Sequence, residues 1–313
     1  MAVLMRWRAG GPNWRRVGTG LVALLALTEL GLRVAGLDNF PLYVKDLQFG
    51  YAPQPNQAGR FLQKNTWVFN DRSMGVAQPW QPGERTDILL VGNSIVLGGN
   101  AYDQPDKLAP LMQSQLNASC AVWPVAAGGW GTVNEFRFLD RHPDVVAGTD
   151  FFVWEYMAHQ MAGLSQWERE STHPLSRPLW LTGYVVHKAL DQRFPTAARF
   201  VVRKPEDARP YYAEFEAMLE RLNHASGRRP AGVIFLYPDR QQLEMARAGQ
   251  EWLPDRLEVQ RIAASHGVVL IDLAAMPQWT AELYKDGVHP TREGNVVMSN
   301  ILADELRKIA HGC

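Results

Sequence analysis

The sequence predicts an α/β domain on a parallel sheet, preceded by a membrane helix. Three observations carry this. Short apolar runs recur from Thr86 onward, each suited to a strand buried on both faces. Between them lie stretches with apolar residues at three- and four-residue spacing, the period of an amphipathic helix. The two patterns alternate, which argues for parallel strands covered by helices on both faces.

In chain order, Arg6, Arg8, Arg15 and Arg16 precede an apolar stretch, Val17 to Leu27, that continues past Glu29 and Arg33 to Leu37. Basic residues before an apolar run mark a secretory signal or a signal anchor with its N-terminus inside. The whole of Val17–Leu37 reaches the roughly 20 residues a span needs, if Glu29 and Arg33 pair across one helical turn. No small-residue cleavage site precedes Asp38, which favours a retained anchor. Residues 1–38 are therefore expected to form a cytoplasmic tail and signal-anchor helix, with everything after Asp38 outside the membrane. A buried helix of a cytosolic protein is the rival reading.

Residues 39–85 are rich in Pro, Gly, Asn and Gln, and read as an extended approach segment with a short strand near Trp67–Asn70. The main domain is expected over 86–313. Its strands fall at Asp87–Val91, Cys120–Ala126, Asp150–Glu155, Gly232–Tyr237 and Val268–Leu273. Its helices fall at Asp106–Leu116, Val133–Arg141, Tyr211–Ala225, Pro254–His266 and Thr291–His311. Gln160 to Pro210 breaks the alternation, and a loop of that length is read as an insertion at the rim of the site.

Composition excludes several functions. The chain has 313 residues, with 32 Lys+Arg against 32 Asp+Glu. Zero net charge argues against a polyanion binder, so no nucleic-acid partner is expected. The only cysteines, Cys120 and Cys313, allow at most one bridge and no Cys-rich zinc site. Cys120 is expected to be buried in a strand and Cys313 free to move. The histidines show no ligand spacing, so no metal is expected. Gly128-Gly129-Trp130-Gly131 is too short for a dinucleotide or phosphate loop, and no cofactor is expected.

Two stretches carry candidate chemistry. Gly92-Asn93-Ser94 directly follows an apolar strand, and ligand sites of open α/β sheets lie at the carboxyl ends of strands. Ser94 there is either a helix cap or a hydroxyl in the crevice. Asp286-Gly287-Val288-His289-Pro290-Thr291 precedes the last helix. A serine nucleophile needs a base, and the base needs an acid that holds its tautomer. Asp286 and His289 in one tight turn can supply both.

Ile88-Leu-Leu-Val-Gly-Asn-Ser94 resembles the first block of the SGNH (GDSL-type) hydrolases, and Asp286-Gly-Val-His-Pro-Thr291 resembles their last block. Val125-Ala-Ala-Gly-Gly-Trp-Gly-Thr132 is similar to the second. Phe69-Asn-Asp-Arg-Ser-Met-Gly75 behind a basic anchor resembles the front end of membrane-anchored bacterial members. The resemblance implies a three-layer α/β/α, flavodoxin-like fold on about five parallel strands. It implies a triad of Ser94, His289 and Asp286, and an oxyanion hole from the N–H groups of Ser94 and Gly129. Two departures stand out. Asn93 replaces the usual acid of the first block. The third block usually supplies an Asn, but Phe152–Met161 holds none. His159 is the nearest match by position, with Gln160 beside it.

Asn93, Glu155 and Gln160 are candidate pocket residues beside this machinery, Glu155 being equally suited to a structural salt bridge. Trp130 and Trp167 are expected to be exposed in the site, where aromatic faces suit sugar rings. The resemblance points to a single-pass protein of the bacterial inner membrane with its domain in the periplasm. Its expected activity is removing or transferring O-acyl groups, acetyl above all, on a cell-surface or exported polysaccharide. Expected partners are the carbohydrate O-acyl ester, the inner membrane, and a membrane O-acyltransferase or polysaccharide synthase complex. The rivals are an O-acetyltransferase with the same triad, and a degenerate glycan-binding or scaffold protein.

Overall fold

The computed structural model describes residues 14–158, 160–161, 163–193, 208–228 and 230–313. Helix α1 (Trp14–Val34) is long and apolar enough to cross a membrane, and none of its residues is buried. Its 21 residues amount to about 31 Å at 1.5 Å per residue. Glu29 and Arg33 do pair, at 2.6 Å.

The stretch 39–85, read as an extended approach segment with one short strand near Trp67–Asn70, holds that strand and three more. This stretch forms two antiparallel pairs, β1 (Tyr43–Asp46) with β2 (Gly50–Pro53), and β3 (Gln57–Phe61) with β4 (Asn65–Phe69). Phe49, Tyr51, Ala52, Met74 and Trp80 join the main hydrophobic core. The strands are short and carry Gly, Pro and Gln, so no alternation marks them.

The five apolar runs form one parallel sheet: β5 (Thr86–Gly92), β6 (Cys120–Ala126), β7 (Phe151–Tyr156), β8 (Gly232–Leu236) and β9 (Val269–Asp272), in the order β6-β5-β7-β8-β9. Ile88 to Val91 are completely buried, as a central strand covered on both faces must be. The chain steps one way from β5 to β6 and the other way thereafter. Right-handed crossovers then put α3 (Leu108–Gln115) on one face. They put α4 (Thr132–Asp140), α5 (Pro143–Ala147), α7 (Arg209–Ser226) and α9 (Arg256–Ser265) on the other. The last helix, α10 (Arg292–Ile309), packs back on α3. This is the flavodoxin-like order, whose ligand crevice opens where the direction reverses, between β5 and its neighbours.

Four helices escape the sequence pattern. Two are short: α2 (Ser94–Leu97) and α5. The others are α8 (Arg240–Arg247) and α6 (Leu181–Arg193), which lies inside the expected insertion. Helix α6 is docked on α1. Glu29 accepts hydrogen bonds from the N–H groups of Leu181 and Thr182 at 2.9 and 2.8 Å and from the Thr182 hydroxyl at 2.9 Å. Arg33 donates to the carbonyls of Pro178 and Leu179. Cys313 is not free: it is bonded to Cys120, across 193 positions, and ties the chain end to the edge strand β6.

Candidate active site

Strand β5 ends at Gly92, and Asn93 begins α2. The Asn93 side-chain oxygen accepts from the Ile95 N–H at 2.9 Å, so Asn93 is the cap. Ser94 becomes the first helical residue, with its hydroxyl left for the crevice and its N–H without an intrahelical partner. Behind it, Asn93 donates from its backbone N–H to Glu155 Oε2 at 2.9 Å and from Nδ2 to Oε1 at 3.0 Å. A side chain at position 92 would begin 2.5 Å from Glu155 Oε2, so only glycine lets this carboxyl reach the turn. Burial pushes Glu155 up to about 8, against the pull of the two Asn93 donors.

The Asp286–His289 turn is built by the carboxylate itself. Asp286 Oδ1 accepts from the N–H groups of Val288 and His289, at 2.9 and 2.7 Å. Desolvation opposes ionisation, but these two N–H groups and the imidazole outweigh it and hold the carboxyl below its ordinary range. The loop is fastened from outside as well: Tyr237 donates to the Val288 carbonyl at 2.6 Å and Tyr102 to that of Pro290 at 2.7 Å. His289 Nδ1 lies 3.1 Å from Asp286 Oδ2, and its Nε2 lies 2.9 Å from Ser94 Oγ. Hydroxyl, imidazole and carboxylate thus stand in hydrogen-bonding sequence, the geometry of an activated nucleophile.

After β6 the chain turns through Gly128 and Gly129. Gly129 has φ +77°, and a Cβ there would lie 3.0 Å from the Tyr51 hydroxyl. The Gly128 carbonyl accepts twice, from Tyr51 Oη at 2.8 Å and from His173 Nε2 at 2.8 Å. A carbonyl can only accept, so His173 carries its proton on Nε2. Burial lowers the His173 pKa and keeps the ring neutral, and Nδ1 is buried without a partner among the described residues. In a trans peptide the N–H of Gly129 points opposite the Gly128 carbonyl. It has no acceptor among the described residues. A crevice of about 350 Å³ opens over Ser94, lined by Tyr43, Tyr102, His173, Lys285 and His289 among others.

Several sequence expectations are corrected here. Trp130 is only 3% exposed; it packs on Phe138 and donates to the Tyr51 carbonyl, a core residue tying β2 to the sheet. Trp167 is half-buried, donates to the His173 carbonyl at 2.6 Å and carries the Lys45 ammonium on its face; it lies outside the crevice lining. Asn93 and Glu155 are buried behind Ser94 and outside the crevice lining, and Glu155 makes no salt bridge among the described residues. Gln160 is buried and accepts from Thr132 Oγ1 at 3.1 Å, so its side chain serves the fold. His159 lies outside the described residues. Tyr51, Tyr102 and His173 were missed by sequence reasoning. His173 showed only as a histidine in a long insertion, and Tyr51 as an aromatic in an unpatterned stretch.

No protein-family model matches the chain, and no curated protein matches it. Among solved structures, it is similar to a lipase/acylhydrolase from Enterococcus faecalis, at 17% identity over 71% of this chain and 95% of that one, with a TM-score of 0.41. It is similar to a carbohydrate acetylesterase family member from Sinorhizobium meliloti, at 15% identity over 72% of this chain and 98% of that one, with a TM-score of 0.39. It is also similar to a member of the lipolytic G-D-S-L family from Veillonella parvula, at 11% identity over 71% and 97% of the two chains, with a TM-score of 0.38.

Proposed function

We propose that this chain is a membrane-tethered acyl-ester hydrolase that acts on O-acyl groups, acetyl above all, of a polysaccharide outside the inner membrane. One observation carries the chemistry: Ser94 Oγ at 2.9 Å from His289 Nε2, with His289 Nδ1 at 3.1 Å from Asp286 Oδ2. Ser94 attacks the ester carbonyl while its proton passes to His289. Asp286 holds the tautomer and stabilises the imidazolium. The N–H groups of Ser94 and Gly129 take the developing oxyanion. Collapse breaks the C–O bond, and the sugar hydroxyl leaves with the proton from His289. Water then adds to the acyl-enzyme, again through His289, and frees the acid and Ser94.

The open crevice and its tyrosines suit a sugar ring better than an acyl tail alone. The Cys120–Cys313 bridge suits an oxidising compartment, and α1 suits a single-pass anchor. In that place a membrane O-acyltransferase or a polysaccharide synthase complex is the natural partner.

The test uses a fluorophosphonate probe and an acetyl-ester donor. The wild-type chain is expected to be labelled and to release acetate, and Ser94→Ala to do neither. Labelling that survives Ser94→Ala overturns the mechanism, and absence of both labelling and turnover in the wild type leaves a binding or scaffold protein. If an oligosaccharide acceptor captures the acetyl group in place of water, the activity is transfer.

A further inference from the structure

A second cavity, of about 80 Å³, adjoins the crevice over Ser94. Tyr43, Leu97, Gly99, Asn100 and Thr172 line both, so the two spaces are immediate neighbours. The walls found only in the smaller one include two lysines, Lys107 before α3 and Lys188 on α6.

Neither ammonium has a carboxylate partner among the described residues. Lys107 is only 6% exposed. Its stem packs under Gly98, where a Cβ would lie 2.9 Å from Lys107 Cγ. Asp103, the carboxylate that attracts Lys107, is committed elsewhere: its Oδ1 accepts from the N–H and the hydroxyl of Thr66. Desolvation pulls Lys107 down to about 8 against the attraction of Asp103, and burial also lowers Lys188. An unpaired ammonium is costly to bury unless something outside the fold compensates it.

Cations outnumber carboxylates in the walls of the two spaces. Lys285 lines the main crevice, with its ammonium 5.2 Å from the Tyr102 ring centroid. The one carboxylate lining either space is Asp286, already engaged by His289. This local cation excess sits in a chain with no net charge. A cavity of this size admits more than the roughly 30 Å³ of one water, which is enough for a compact oxyanion.

We propose that this cavity is an anion subsite, in which Lys107 and Lys188 take one carboxylate or phosphate carried by the molecule whose ester Ser94 cleaves. The proposal rests on the hydrolase reading for the identity of that molecule, and on the cavity for the charge it must bear. The substrate is then an acylated acidic sugar or a sugar phosphate, bound with its ester over Ser94 and its charge in the side cavity.

The test measures binding apart from turnover. The full chain carrying Ser94→Ala, in detergent, is titrated calorimetrically with galacturonate, inorganic phosphate and uncharged galactose. At least one anion is expected to bind at least tenfold tighter than galactose, and which one does so tells a uronate from a phosphate source. Lys107→Met keeps the stem and removes the charge, and is expected to weaken that anion at least tenfold. Lys188→Glu, at a half-buried position on α6, is expected to do the same and keeps the test open if Lys107→Met misfolds. Anions that bind no better than galactose, or that bind both variants as tightly as the parent, overturn the subsite. Failure of Ser94 chemistry with anion binding intact counts against the hydrolase reading alone.

Discussion

The imidazole Nε2 of His173 lies 2.8 Å from the carbonyl oxygen of Gly128. With Tyr51 on the same oxygen, it fixes the plane of the peptide whose other side presents the Gly129 N–H. Two donors on one carbonyl also polarise that amide and strengthen the N–H as a donor. His173 is a positioning residue on this account. His173→Phe is expected to lower kcat about tenfold or more while leaving KM within about threefold, because the oxyanion exists only in the transition state. His173→Gln, which can still donate, is expected to recover part of the loss. Steady-state kinetics on a soluble aryl acetate check both.

Asn93→Asp would restore the acid more usual in the family that the sequence resembles. Here it is expected to harm the protein. Both Glu155 oxygens now accept from Asn93, and an Asp would turn one of those contacts into a meeting of two buried carboxyls. One must then stay protonated, and stability is expected to fall by about 3 kcal/mol, more as pH rises. Thermal melting at pH about 6 and about 8 measures it; an unchanged midpoint at both would refute the assignment of Glu155 as the support of the nucleophile turn.

Glu135 and Glu155 are both completely buried, and burial raises both carboxyls, Glu155 to about 8. Each holds a proton in the fold that the unfolded chain loses above about 4.3. Unfolding therefore releases protons above that value, for Glu155 up to about 8, and stability falls as pH rises through this window. The expected decline is on the order of a few kcal/mol. Glu135→Gln keeps an acceptor for the Trp154 indole, now 2.6 Å from Glu135 Oε2, and is expected to flatten the decline. Denaturant unfolding across the pH range reads the slope.

The Cys120–Cys313 bridge closes a loop spanning 193 positions. Reduction, or Cys313→Ser, is expected to cost about 2–5 kcal/mol, mainly by freeing the unfolded chain. A melting curve with and without reductant tests this. Because α10 follows directly on the His289 loop, esterase activity is expected to fail at a lower temperature in the reduced protein.

The sheet was legible because each strand is built on a short apolar run, a pattern that burial on both faces favours. The pairs β1–β2 and β3–β4 were not, because their strands are short and rest on a few anchors such as Tyr51. At the site, Ser94, Asp286 and His289 could be named from two compact motifs, although 195 positions separate the serine from the histidine. The groups that orient them were out of reach. A glutamate ending a strand reads the same whether it faces solvent or braces a turn from behind, and Glu155 braces. A tryptophan beside glycines reads the same in a cleft or a core, and Trp130 is core. The Gly128 carbonyl draws its partners from 77 and 45 positions away, with no local pattern to announce either.

Glu29 takes three hydrogen bonds from the first turn of α6, so α1 and the domain are clamped together and not strung on a leash. Under the membrane reading, the crevice keeps a set height and bearing above the bilayer, as a fixed crane serves one berth. Under the proposed polysaccharide function, the polymer must be drawn past the crevice, and the direction of that traffic, not roaming search, sets which sugars it meets.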